Sequence, residues 1–207
     1  IAQASNNGIG VAGMAPGASI LPVRVLNADG EGGSDDVAAG IVWAVDNGAH
    51  IINLSLGSDG YSQVIADACD YAEDAGVLVV AATGNDGYSD FISYPAALDS
   101  TMAVGAVDLN SEVTYYSNKG NQIDIVAPGG DLSQDADGDG YADGVLQEAS
   151  VNGEPPAFWF FEGTSMATPH VAGAAAVLMG AGVTDLAQLR TLLVEHTDDL
   201  GSAGWDT

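Results

Sequence analysis

A chain of 207 residues can bury the core of one domain, and 47% hydrophobic content with 28 glycines fits a globular α/β protein and excludes a disordered one. Three Lys and Arg against 29 Asp and Glu leave a net charge of −26, which excludes nucleic acid as a partner and disfavours anionic membranes, since both need clustered cations. No apolar run approaches the roughly 18 residues of a membrane span. Such acidity suits a secreted protein of a saline environment, where counterions screen self-repulsion, and it suits simple solubility equally well. The amino terminus, IAQASNNGIG, lacks the basic start and apolar stretch of a signal peptide. A single cysteine, Cys69, leaves no partner for an intrachain disulfide.

Residues 20–26, ILPVRVL, read as a strand. Residues 35–47 read as a helix with Ser34 as N-cap, Asp35 and Asp36 in its first turn and Gly48 at its end; Val37, Ile41, Ala44 and Val45 give it an apolar face. A second strand is predicted at 51–56 and a second helix at 62–75, closed by Gly76. Cys69 falls in that helix near Ile65, Ala68 and Ala72, which reads as a small buried hydrophobe. The third strand, VLVVAA at 77–82, is almost wholly apolar and is expected to be buried on both faces. Further strands are expected at 102–107 and 123–126, and helices at about 165–180 and 185–196. Strands alternating with helices predict an α/β fold of three layers, a mostly parallel sheet with helices on both faces and ligand sites at the carboxyl ends of the strands. No repeat or linker divides the chain, so 1–207 reads as a single domain. Residues 129–162, rich in Gly, Asp and Pro, read as an ordered acidic surface insertion without regular structure.

GTSMATPHVAG, residues 163–173, places Ser165 at the start of an apolar helix. Free N–H groups and the positive end of the macrodipole lie there, so a nucleophile at this point would have its oxyanion held. A bare Gly-Thr-Ser would more simply be a cap. AATGNDG, residues 81–87, directly follows the buried strand and offers Asn85, either as an ordinary turn asparagine or as an amide donor that pairs with the Ser165 N–H around an oxyanion.

The eleven-residue string closely resembles the serine motif of the subtilisin-like serine proteases, the subtilase family (peptidase family S8), and Asn85 fits that family's Ala-Gly-Asn element in order. The resemblance covers nearly the whole chain: SNNGIGVAGMAPGA at 5–18, VRVLNADGEG at 23–32, NLSLG at 53–57, SYPAAL at 93–98, AVGAVD at 103–108 and DIVAPGG at 124–130. It implies a serine endopeptidase with Ser165 and Asn85 catalytic. It implies that Gly30, Glu31 and Gly32 on one side, and Ser55, Leu56 and Gly57 on the other, sandwich an extended peptide by strand addition. Ala82, Thr83 and Gly84, with Ser93, would line the pocket for the residue before the cleaved bond, Thr83 and Ser93 narrowing or polarising it. In the same pattern Tyr94–Pro95 is a candidate cis peptide, although trans is the commoner state for such a bond.

Two of the family's elements, Asp-Ser/Thr-Gly and His-Gly-Thr-His-Val-Ala-Gly, do not occur. By the resemblance, the chain reads as a fragment that lacks them and the closing C-terminal strand, and these 207 residues are expected to be inactive alone. His170 lies five helical residues from Ser165, about 500° of rotation away, and reads as structural. His50 sits at the wrong end of a strand, and His196 closes the last helix. The alternative function is an inactive calcium-binding or peptide-binding module on the same scaffold.

DADGDGYADG, residues 135–144, sets Asp135, Asp137 and Asp139 at alternate positions before Gly140, the start of an EF-hand-like loop, with the Tyr141 carbonyl and Asp143 as further ligands. The twelfth position is Leu146 rather than Glu, so Glu148 or another residue would have to complete the site; a solvated acidic loop is the alternative. The family resemblance implies a second calcium site, Asn7 by its side chain and Ser5, Ile9 and Val11 by carbonyls. Expected partners are protein or peptide substrates and a pro-segment or inhibitor, on a monomer.

Overall fold

The structure is a computed structural model and describes residues 1–151, 153–198 and 200. Its centre is a parallel sheet of β1 (Ile51–Leu54), β2 (Leu78–Ala82), β3 (Thr101–Val107) and β4 (Ile125–Pro128), in that spatial order. The helices between and after them are α1 (Ser34–Asp46), α2 (Gln63–Asp74), α3 (Thr164–Gly180) and α4 (Leu186–Glu195).

Period-two side-chain alternation divides the central strands between two cores. Val79, Ala81 and Ala103 point to one face, where Val37, Ile41, Cys69 and Ala72 of α1 and α2 cover them. Leu78, Val80, Met102, Val104 and Ala106 point to the other, under Ala167, Val171 and Ala175 of α3 and Leu189 and Leu193 of α4. Every residue of β2 and β3 is buried, as their unbroken apolar runs require. Each fully buried Leu or Val contributes about 1.5–3 kcal/mol of transfer free energy, so the paired cores fix the sheet and thereby the loops at its carboxyl edge. Cys69 has no exposed surface, and burial followed by the charge of Asp70 pushes its thiol up to about 12. It is inert packing, as its helical neighbours imply.

Gly48 and Gly76 end α1 and α2 at φ +82° and +76°, the left-handed conformation that a helix stop requires. The Tyr94–Pro95 peptide is cis. Among the described residues, no helix is long and apolar enough to cross a membrane.

Three expectations are corrected. Residues 20–26 form no strand. They face the β1 edge across an apolar cleft of about 950 Å³, lined by Val23, Val25, Ile52, Leu54, Ala172 and Met179 among others. Their sequence has strand character, but a strand needs a backbone partner, and here the described chain supplies none. Ser34 does not cap α1: the cap position is Gly33, with no side-chain cap bond, and Ser34 is already helical. The insertion is not irregular throughout. It contains an antiparallel ribbon of β5 (Val145–Ala149) and β6 (Ala157–Phe161), in which Val145 pairs with Phe161 and Ala149 with Ala157. The aromatic run AFWFF has strong β character, which outweighs the flanking Gly and Asp.

Candidate active site

Two loops at the carboxyl edge of the sheet meet the start of α3. Residues 83–87 leave β2, and residues 55–57 leave β1. The carboxyl ends of the strands are where an open parallel sheet places its ligand sites.

The N-cap of α3 is Gly163, at φ +139°, which a Cβ would disfavour. Thr164 follows and is fully buried. Its backbone N–H donates to Asn85 Oδ1 at 2.8 Å and its hydroxyl donates to the same oxygen at 2.9 Å. Because an N–H can only donate, this network fixes which end of the Asn85 amide is oxygen. Nδ2 therefore points the other way, with no protein acceptor among the described residues. A Cβ placed on Gly163 would lie 3.4 Å from Asn85 Nδ2 and 3.6 Å from the Ser165 backbone N. Two donors thus flank one small space at the positive end of a 17-residue helix, an arrangement suited to an anion. The structure places the Asn85 amide and the Ser165 backbone N–H on either side of Gly163.

Ser165 and Ser55 are tied reciprocally. Ser55 Oγ donates to the Ser165 carbonyl at 2.8 Å, and Ser165 Oγ donates to the Ser55 carbonyl at 3.4 Å. Pro169 explains why the Ser165 carbonyl is available: four residues on, it has no N–H to continue the helix ladder. Asn53 extends the chain of bonds by donating from Nδ2 to Ser55 Oγ at 3.0 Å.

Gly163 is also gripped from behind. Its N–H donates to the Tyr116 hydroxyl at 3.0 Å, and that hydroxyl donates to the Gly130 carbonyl at 2.6 Å. Burial pushes the Tyr116 phenol above its ordinary value, against a smaller lowering by its hydrogen bonds. Tyr116 and Pro169 were not singled out in the sequence, and Thr164 only as a candidate helix cap. Thr164 had the clearest signal, a hydroxyl beside Ser165 in a helix-start position.

The residues proposed for the specificity pocket also meet. Ala82 and Thr83 are buried, and the Ser93 N–H donates to the Thr83 carbonyl at 2.9 Å. A Cβ on Gly84 would lie 2.6 Å from Ser93 Oγ, and one on Gly57 would lie 3.2 Å from Ser93 Cβ. Leu56 packs against the core beneath this wall. The segment holding Gly30, Glu31 and Gly32 is folded on itself: the Asn27 N–H donates to the Glu31 carbonyl at 2.8 Å, and Asn27 Oδ1 accepts the Glu31 N–H at 3.0 Å. Its hydrogen bonds do not reach 55–57.

None of the three histidines approaches Ser165 by hydrogen bonding. His170 Nδ1 pairs with the Met166 carbonyl at 2.8 Å on its own helix. His50 precedes β1, at the opposite end of the sheet from Asn85, and His196 is the C-cap of α4.

In the acidic loop, carboxylate oxygens of Asp135, Asp137 and Asp143 all lie within 4.8 Å of one another. The Asp139 carboxylate accepts the Tyr141 N–H at 2.8 Å instead of joining them. At the amino-terminal loop, Asn7 Oδ1 accepts the Ile9 N–H at 3.0 Å, between the left-handed residues Asn6, Gly8 and Gly10; Ser5 and Val11 flank this turn.

The model of the subtilase family (Peptidase_S8) matches residues 1–207. Subtilisin BL of Lederbergia lenta is 44% identical over 200 residues, 96% of this chain and 68% of that protein. A thermophilic serine proteinase of Bacillus sp. (strain AK1) is 39% identical over 203 residues, 98% of this chain but 46% of its own length. Among solved structures, a protease from Pseudoalteromonas arctica PAMC 21717 is similar with a TM-score of 0.85 and 36% identity, over 95% of this chain and 61% of that one. The chain thus spans between about half and two thirds of the relatives it matches.

Proposed function

The chain belongs to the subtilase family, and we propose that it is the greater part of a serine endopeptidase catalytic domain acting on proteins and peptides. The observation that carries this reading is the oxyanion geometry. Thr164 holds the Asn85 oxygen, and Asn85 Nδ2 and the Ser165 N–H flank the space at Gly163.

In the proposed mechanism an extended peptide adds as a strand beside 55–57, with the 30–32 segment on its other side. The side chain before the cleaved bond enters the pocket of Ala82, Thr83, Gly84 and Ser93. Ser165 Oγ attacks the peptide carbonyl, its proton passing to a base, and the carbonyl oxygen takes up the charge between Asn85 Nδ2 and the Ser165 N–H. The base then protonates the leaving amine, and water releases the acyl group by the same path in reverse.

We place the base and its orienting carboxylate outside these 207 residues. Two observations support this. Ser165 Oγ has the Ser55 carbonyl as its acceptor, and His170 is engaged by Met166. The apolar cleft between residues 20–26 and β1, lined by Ile52, Leu54 and Leu56 among others, has the lining to accept a further strand beside β1.

Calcium is the cation that the acidic loop fits: its donors are hard carboxylate oxygens and Gly140 turns the chain at φ +89°. Asp135, Asp137 and Asp143 would hold it, with Asp139 and the Tyr141 carbonyl as further ligands. Bound calcium would brace the insertion. The loop of Ser5, Asn7, Ile9 and Val11 is the proposed second site.

The test is hydrolysis of an unfolded protein by the full-length protein. Cleavage that disappears in Ser165→Ala supports the reading. A folded full-length protein without activity would support the inactive binding module instead.

A further inference from the structure

Besides its bonds to Thr164 and to the Tyr116 carbonyl, the loop carrying Asn85 is held by Asn118, which has no exposed surface. Its Oδ1 accepts the N–H of Asp86 at 2.9 Å and of Tyr88 at 3.1 Å. Its Nδ2 donates to the Thr83 carbonyl at 3.1 Å, and its backbone N–H donates to the Gly84 carbonyl at 3.0 Å. Four hydrogen bonds therefore bracket Asn85, two on the residues before it and two on the residues after it. None goes to Asn85 itself.

The loop needs such a template. Gly84 and Gly87 stand on either side of Asn85 at φ +105° and +66°, so the segment has wide conformational freedom and no ladder of its own. A Cβ on Gly84 would lie 2.3 Å from Asn118 Nδ2, so the backbone sits directly on the amide. The chemistry is specific as well. The site needs two acceptor directions and a donor on a short planar group. Serine supplies at most part of this, and aspartate presents an acceptor to the Thr83 carbonyl.

We infer that Asn118 is a positioning residue for the oxyanion donor: it sets the place of the Asn85 backbone, while Thr164 sets the rotation of the Asn85 amide. This rests on the reading of Asn85 as the oxyanion donor. Displacing a reacting group by about 1 Å costs about 10²-fold in rate, so loss of this template is expected to cost about tenfold or more. The effect falls on kcat, because the donor acts on charge that develops in the transition state.

The test is a double-mutant cycle in the full-length protein, with Asn118→Ala and Asn85→Ala singly and together, by steady-state kinetics on one peptide substrate. Asn118→Asp, which keeps the volume and the Oδ1 acceptor but turns an acceptor toward the Thr83 carbonyl, replaces the alanine variant if that chain does not fold. The expected result is a kcat lowered about tenfold or more with KM within about twofold, and less than about twofold further loss when Asn85 is already alanine. An equal loss in both backgrounds, or a change confined to KM, would overturn the inference and leave the oxyanion reading standing. An Asn85→Ala variant with full kcat would overturn both.

Discussion

Both donors of Thr164, its backbone N–H and its hydroxyl, converge on the single oxygen Oδ1 of Asn85, at 2.8 and 2.9 Å. One residue thereby orients an amide 79 positions away and leaves the Nδ2 end free. The hydroxyl also accepts the Gly84 N–H at 3.3 Å, so it links the loop after β2 to the start of α3.

Thr164→Val keeps the shape and removes that hydroxyl. Losing a neutral hydrogen bond of about 1 kcal/mol predicts a kcat about fivefold lower, with KM little changed. Steady-state kinetics check this, with Thr164→Ser as the control that restores the hydroxyl. A loss in KM alone would contradict the orienting role.

Gly163→Ala places a methyl between the two donors and requires a non-glycine residue at φ +139°. Losing one oxyanion donor lowers kcat about 10²- to 10³-fold, a scale known from a subtilisin, and this substitution is expected to do at least as much by obstructing both. Active-site titration with thermal unfolding separates a folded, slow variant from an unfolded one.

Tyr116 supplies a pH signature. Its folded-state value is raised from 10.0 by burial, so above that pH the unfolded chain loses the phenol proton first. Tyr116 therefore contributes stability that is fully present below about pH 10 and is lost as pH rises through the higher folded value. Tyr116→Phe should cost about 1–2 kcal/mol at pH 8, and the gap between the two proteins should narrow above pH 10. Unfolding curves from pH 8 to 11.5 measure it; a gap that widens with pH would contradict the assignment.

Removing calcium should lower the melting temperature, and Asp135→Asn, Asp137→Asn or Asp143→Asn should shrink the difference between calcium-loaded and chelated protein. A site 100-fold saturated over its dissociation constant adds about 2.7 kcal/mol. Differential scanning calorimetry with and without chelator provides the measurement, and equal melting temperatures would remove the site.

Much of the fold was legible because its signals are local. The apolar run at 77–82 read as an interior strand and forms β2, and Gly48 and Gly76 stop their helices as left-handed residues. Asn85 was findable because it follows that strand at the edge where sites form. What escaped the sequence was non-local. Whether residues 20–26 form a strand depends on a partner, which apolar content cannot supply. The bonds from Ser55 to Ser165, Asn118 to Asp86 and Tyr116 to Gly163 span 110, 32 and 47 positions, and no pattern along the chain marks them. The ribbon of β5 and β6 was hidden by the Gly and Asp around it, although its aromatic strand carried the signal.

The most direct test is reaction of the full-length protein with a fluorophosphonate, followed by mass mapping of the labelled peptide. A protein that uses Ser165 as nucleophile and Asn85 as oxyanion donor will be modified at Ser165, will lose labelling in Ser165→Ala and will label more slowly in Asn85→Ala. A folded full-length protein that stays unlabelled, or is labelled elsewhere, would contradict the account.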